Sequence, residues 1–162
     1  MNIFILDRDV TKCAQYHVDR HIIKMPLETA QMLSTTLNHY GLVSPYKPTH
    51  KNHPCTMWTK ASRENFLWLC ELGIQLCAEY TYRYGRVHAC QQVIDVCRKH
   101  ANACSFPAIA QTPFAMAMPG QYRDSDAVTA YRRYYCEAKR SLFKWTGRDT
   151  PDWARENYEC EA

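Results

Sequence analysis

The period of the apolar residues constrains this chain more than any other feature. From Ser62 to Tyr84, Phe66, Leu69, Leu72, Leu76 and Tyr80 recur at steps of three and four. Only an α-helix puts such a series on one face. Leu27, Ala30, Leu33 and Leu37 repeat the pattern, as do Val87, Cys90, Ile94 and Cys97, and later Val128, Tyr131, Tyr135, Ala138 and Leu142. Five glycines are too few for a sandwich or barrel rich in tight turns. At 162 residues one domain is the default. The expectation is an all-α or mostly α fold, a single compact domain of about five helices with a short extended N-terminal segment, "NIFIL".

Helix boundaries follow from caps and breakers. Asp9 is a plausible N-cap for a first helix from Val10 to about Arg20. Pro26 suits a first turn and not an interior, so a second helix starts there and ends at Gly41. A polar loop spans about Leu42 to Thr59. The long helix from Ser62 stops at Gly85, and another runs from about Arg86 to His100. "SFPAIAQTPFAMAMPGQY" carries three prolines and reads as an ordered loop. Asp124 or Ser125 caps a last helix to about Trp145.

Charge divides the chain at about residue 148. From Asp149 onward there are five acids and one base, so that end carries −4, and the overall +4 leaves residues 1–148 at +8. A basic helical domain at 1–148 followed by an acidic tail at 149–162 points to a polyanionic partner. No apolar run reaches membrane-spanning length, and no charged and then apolar leader opens the chain. Nine cysteines without a leader read as reduced thiols in a cytoplasm, the host's if the chain is phage-encoded. Cys70 and Cys77, and then Cys90, Cys97 and Cys104, recur every seven residues as small hydrophobes on a helix face. There is no C-x-x-C pair, and zinc is the minor reading.

Four stretches could carry chemistry. "CAQYHVDRHIIKMPLE" sets Cys13, His17 and His21 at four-residue steps, with Asp19, Arg20, Lys24 and Glu28 close by. Histidines in this spacing can bind metal, grip phosphate or exchange protons near neutral pH. "YKPTHKNHPCTMW" offers Lys47, His50, Lys51, Asn52 and His53 as donors to phosphates or base edges, with Trp58 as a flat surface for an unstacked base. "EYTYRYGRVH" sets Arg83 and Arg86 among three tyrosines. "AYRRYYCEAKR" mixes Arg132, Arg133, Lys139 and Arg140 with Tyr131, Tyr134 and Tyr135. Each alternates aromatic and basic residues, as nucleic-acid surfaces do. Against each stands a bland reading as solvated helix face or ordinary loop. P-loop, dinucleotide, G-x-S-x-G and H-E-x-x-H motifs are missing from the sequence.

The layout resembles a family of small phage proteins that begin "MNIF" and continue with "THKNHP" and a Y-R-x-Y-Y close. Here the matching stretches are "DRHIIKMPLETAQML", "YKPTHKNHPC", "EYTYRYGRVH", "TPFAMAMPGQY" and "AYRRYY". More distantly, the chain is similar to the pyrimidine-dimer DNA glycosylases of the endonuclease V class. Gln15, His17, Arg20, Pro26 and Glu28 match that family's N-terminal helix, Lys51 to Pro54 its Y-K-N-H-P-like stretch, and Tyr131 to Tyr135 its aromatic–basic cluster. The resemblance implies a compact all-α enzyme that attacks the sugar C1′ with its N-terminal α-amine, helped by a carboxylate, without a cofactor or metal. The partner would be double-stranded DNA, damaged or modified.

In that family the initiator methionine is removed to expose a small residue. Here Asn2 follows Met1 and should block removal, which leaves the Met1 amine as nucleophile. The family's glutamate position falls on Lys24. Glu28 is the nearest carboxylate, Asp19 the second choice, and Lys24 itself is an alternative imine-forming amine if buried. Two other classes stay open: a non-catalytic nucleic-acid-binding protein, and an enzyme that modifies bases or nucleotides.

Overall fold

The computed structural model describes residues 1–159. Among them are seven α-helices and no strand: α1 (Val10–Tyr16), α2 (Asp19–His39), α3 (Pro54–Ala61), α4 (Arg63–Tyr84), α5 (Gln91–Lys99), α6 (Ala127–Ala138) and α7 (Asp152–Glu159). The helical class holds, and the helix count exceeds the five expected. Two boundaries differ for local reasons. The first helix stops at Tyr16 because His17 turns extended, at φ −67° and ψ 135°. The second then begins at Asp19 and runs straight through Pro26.

A proline inside a helix costs about 3 kcal/mol. Tertiary contacts offset that cost by holding the turns before Pro26. The Asp19 N–H donates to the Lys144 carbonyl at 2.8 Å, and Ile22 and Met25 are buried in the core. A third helix, α3, lies inside the expected loop. His53 caps it by accepting from the Cys55 N–H at 3.1 Å, and Pro54 takes its first position. α5 begins at Gln91 instead of Arg86. α6 begins after Asp126, whose carboxylate accepts from the Thr129 N–H. It ends at Ala138, because Lys139 leaves helical geometry at φ −118° and a short 3₁₀ turn, Arg140–Leu142, follows.

α4 is the axis of the fold. It packs on α1, α2, α3 and α5, and Phe66, Leu69, Leu72 and Leu76 on its stripe are all at most 1% exposed. Ser62 accepts from the Asn65 N–H at its start, and Gly85 ends it in the left-handed region at φ 69°. The proline-rich loop is ordered because it serves α4. The carbonyls of Ala108 and Ile109 accept from the Arg63 and Glu64 N–H groups, which a free helix end leaves unpaired. Phe114 of that loop packs against Trp58 and Trp68.

"NIFIL" is extended and central. Ile3, Phe4, Ile5 and Leu6 are 0–5% exposed, and no strand pairs with them. The segment from Asp149 is no detached tail in its helical part. Pro151 and Ala154 are buried, and Trp153 packs against Tyr16 and Tyr135. Residues 160–162 of the expected tail lie outside the described residues. Among the described residues, no helix is long and apolar enough to cross a membrane.

Gly73 lets α2 and α5 approach α4 closely. A Cβ there would stand 2.8 Å from Thr29 Cγ2 and 3.1 Å from Ile94 Cδ1. Alanine in a helix is ordinarily worth about 1 kcal/mol over glycine. Overpacking here costs about 1–3 kcal/mol and should win. Gly73→Ala is expected to lower the unfolding free energy, read as a lower urea midpoint at unchanged slope.

Candidate active site

The N-terminal segment delivers the first amine to a carboxylate. The Met1 α-amine lies 3.0 Å from Glu28 Oε1, and the side chains of Met1 and Glu28 are 2% and 8% exposed. The Asn2 N–H donates to the same oxygen at 3.0 Å. Glu28 sits on the third turn of α2, and its other oxygen, Oε2, is 3.7 Å from Lys24 Nζ one turn earlier.

Asn2 is the clamp. Its side-chain amide donates to the Ala117 carbonyl at 2.9 Å, and its Oδ1 accepts from the Ile3 N–H at 2.8 Å. The Tyr131 hydroxyl is 2.9 Å from that Oδ1, and the Cys55 thiol 3.6 Å. In the sequence Asn2 reads only as an obstacle to methionine removal. The available signal is a small amide ahead of an apolar run.

A cavity of about 160 Å³ opens over the pair. Met1, Asn2, Phe4, His21, Lys24, Met25, Glu28, Tyr134 and Lys139 line it. His21 is buried on the first turn of α2, stacked on Phe4 with centroids 4.5 Å apart. Its Nδ1 is 2.6 Å from the Tyr135 hydroxyl. Desolvation, then the nearby His17, Lys139 and Lys24, pushes its pKa down to about 3. His53 is close enough for the Met1 amine to act on it. Desolvation and then that positive amine lower its pKa, while Glu28 opposes. The turn before it is strained: His50 adopts φ 50°, uncommon for a residue with a side chain. A larger open cavity of about 460 Å³ lies elsewhere, lined by Arg8, Thr112, Phe114 and Ser125 among others. It has no comparable amine–carboxylate pair, and Arg8 is already paired with Asp126 at 2.8 Å. Of these two cavities, the smaller one brings an amine and a carboxylate together.

The expected site residues separate into two groups. Met1, Glu28, Lys24 and His21 meet in the small cavity, with His53 nearby. His17, Asp19 and Arg83 form a different, structural cluster. Arg83 was expected to touch nucleic acid, but its side chain is 0% exposed. It donates to Asp19 Oδ1 at 2.9 Å, Glu79 Oε1 at 2.9 Å, and the carbonyls of His17 and Gln15 at 2.8 and 3.0 Å. Asp19 is held further by Thr146, whose hydroxyl and N–H both donate to it. These contacts use up the carboxylate and correct its expected catalytic role. His17 is 1% exposed and does not share one helix with His21. Its Nδ1 donates to the Cys13 carbonyl at 2.7 Å, and Nε2 is buried with no partner among the described residues. Desolvation pushes its pKa down to about 4.

Lys24 is 66% exposed, which removes the burial its nucleophile role required. Arg132 and Arg133 are not a free rim. Arg132 donates to the Leu6 carbonyl at 2.8 Å and to Asp7 at 3.2 Å, under Tyr16 and Trp153. Arg133 pairs with Asp124 at 3.3 Å. Trp58 is 5% exposed and faces the core, not an unstacked base. Arg20, Lys47, His50, Lys51 and Asn52 are exposed, and Arg20 lies one turn before Lys24 on α2. Of the cysteines read as small hydrophobes, Cys70, Cys77, Cys90 and Cys97 are buried, while Cys104 is half-buried and lies beyond α5. Burial pushes Cys13 up to about 12 and Cys55 up to about 11, far from thiolate chemistry. Among the described residues no three His, Cys, Asp or Glu side chains converge as a metal site.

The family model described as pyrimidine dimer DNA glycosylase matches residues 1–92. The chain belongs to that family. The match spans Met1, Glu28 and His53 and stops at the start of α5, so the α6 wall of the cavity, with Tyr134, lies beyond it. No curated protein and no solved structure matches the chain.

The two buried imidazoles predict acid sensitivity. Their folded pKa values lie below the ordinary value near 6.5, so their stabilisation is full above that pH. It is lost as pH falls toward about 4, by on the order of several kcal/mol. Urea unfolding between pH 7 and pH 4 should show that slope, and His17→Phe should remove part of it.

Proposed function

We propose that this protein is a DNA glycosylase with lyase activity on damaged or modified pyrimidines, and that the Met1 α-amine is its nucleophile. The observation that carries the reading is the buried contact between that amine and Glu28. An amine is nucleophilic only when neutral, and an α-amine has an ordinary pKa of roughly 7.7–8.0, close to working pH. Glu28 is placed to take its proton.

The steps balance. The Met1 nitrogen attacks C1′, and the C1′–N bond to the base breaks with its electron pair leaving on the base. The departing base takes the proton that Glu28 first took from the Met1 ammonium, and Glu28 then takes one from the new C1′–N ammonium. The nitrogen lone pair then forms a C=N bond as C1′–O4′ breaks, and the ring oxygen takes a proton back. The resulting protonated imine acidifies C2′, and loss of a C2′ proton expels the 3′ phosphate by β-elimination. Met1 is buried on its side-chain side and Asn2 fixes the peptide after it, so the amine needs little reorganisation.

Binding would rest on exposed cations: Lys24 at the cavity, Arg20 one turn before it on α2, and Lys47 and Lys51 on the loop before α3. A cavity of about 160 Å³ is below the roughly 300 Å³ of ordinary ligand pockets. It suits one sugar, with the bases held outside it. A weakened base pair lowers the cost of bringing that sugar in.

Borohydride trapping on duplexes carrying a UV lesion or an abasic site tests this. The expected product is a covalent adduct mapped by mass spectrometry to the Met1 nitrogen. Glu28→Gln should slow adduct formation by roughly 10²–10⁴-fold while duplex binding stays. An adduct on Lys24, or turnover that survives Glu28→Gln, would sink the assignment. Replacing Lys47 and Lys51 by alanine should flatten the slope of log affinity against log salt by about 1.8 if both meet phosphates.

A further inference from the structure

His21 has one ring nitrogen committed to the protein and one left over. The Tyr135 hydroxyl lies 2.6 Å from Nδ1 and also receives the Val18 N–H at 3.4 Å. A buried hydroxyl that accepts from Val18 must place its own proton, and Nδ1 is the acceptor in reach. Nδ1 therefore carries the lone pair, and the proton of the neutral ring sits on Nε2. The ring cannot turn away, because it is stacked on Phe4 at an interplanar angle of 17°. Nε2 has no hydrogen-bond partner among the described residues, and His21 lines the cavity that holds Met1 and Glu28.

The surroundings keep this ring neutral from every side. His17 stands just before α2, and Lys24 and Glu28 lie on it. Lys139 stands just past α6, Tyr134 and Tyr135 lie on α6, and the Met1 amine closes the N-terminal side. The positive end of α2 disfavours an imidazolium in its first turn as well. Cations outnumber the single carboxylate. A neutral imidazole is too weak an acid to give up its Nε2 proton, but it is a fixed dipole aimed at whatever enters. Such a donor is most effective toward an oxygen that gains charge during the reaction.

We propose that His21 is a catalytic hydrogen-bond donor, its Nε2–H directed at the furanose ring oxygen O4′ of the attacked nucleotide. This rests on the glycosylase reading above. O4′ is bonded to C1′, the atom that the Met1 amine attacks, and it receives the electron pair when the ring opens to the imine. Glu28 returns the proton to that oxygen. His21 keeps its own proton and stabilises the charge before the transfer. Lys24 and Lys139 remain for the flanking phosphates.

The test combines one reaction with one binding comparison. Single-turnover borohydride trapping is measured on a duplex with an abasic site. Affinity is measured for duplexes carrying tetrahydrofuran or cyclopentane at that position, which differ only in the ring oxygen. The wild type is expected to prefer tetrahydrofuran by roughly fivefold, the size of one neutral hydrogen bond. His21→Phe should lose that preference and trap about 10²-fold more slowly. A folded His21→Phe protein that traps at the wild-type rate, or keeps the preference, overturns the proposal. If the wild type forms no adduct, the glycosylase reading fails, while the tetrahydrofuran preference and its loss in His21→Phe still judge the donor. Should His21→Phe not fold, Tyr135→Phe decides. It frees Nδ1 and the tautomer, so trapping should fall about tenfold. A wild-type rate in Tyr135→Phe overturns the proposal equally.

Discussion

The fold depends on burying an extended segment that has no sheet to join. Ile3 to Leu6 pass through the centre of a helical body with almost no exposure. Their polar backbone groups therefore need side-chain partners. Asn2 takes the Ile3 N–H, the Cys13 thiol reaches the Phe4 carbonyl at 3.2 Å, and Arg132 reaches the Leu6 carbonyl. Each of those side chains is thereby withdrawn from other duties. Arg132 holds this strap down, and for that reason it does not offer itself to a phosphate. The same constraint fixes where the chain begins in space. With residues 3–6 buried and Asn2 held at both ends of its amide, the Met1 amine is set against Glu28.

A second buried charge organises the corner between α1 and α2. Arg83 accounts for the carbonyls left open where α1 stops, and for the two acids, Asp19 and Glu79, that face it. Arg148 adds a bidentate contact to Glu79 at 3.0 and 3.1 Å. Breaking such a network leaves uncompensated charge, so its contribution is geometric specificity more than net stability. It sets the angle at which α2 leaves the corner. That angle carries His21, Lys24 and Glu28 to the strap.

Much of the fold was legible in the chain, because helical periodicity survives without tertiary information. α4 shows this best: its stripe, its Ser62 cap and its Gly85 stop are all local signals. The boundaries that differ were decided by distant contacts. Pro26 reads as a helix start until Lys144 and the core beyond it are known to hold the turn before. α3 hides in "THKNHPCTMW" because its cap is a histidine, a residue that also reads as a ligand. Met1 and Glu28 were legible through the resemblance, and their meeting required the strap. Arg83, Asp19 and His17 were misplaced for one reason. A dense ionisable cluster looks the same in sequence whether it faces solvent, substrate or a helix corner.

The position of the carboxylate shows how the fold constrains the chemistry. The resemblance puts Lys24 where a glutamate is expected, and Glu28 is one helical turn further on. On an α-helix four residues return to nearly the same face, displaced by about 5–6 Å along the axis. A carboxylate one turn along α2 can therefore serve the same cavity, provided the amine moves with it. An N-terminus that keeps its methionine is one residue longer, and an extended residue adds roughly 3.3 Å. Oε1 of Glu28 lies 3.0 Å from both the Met1 and the Asn2 nitrogens, so an amine at either position meets the same carboxylate. Lys24, one turn earlier, is exposed and lies 3.7 Å from the other oxygen.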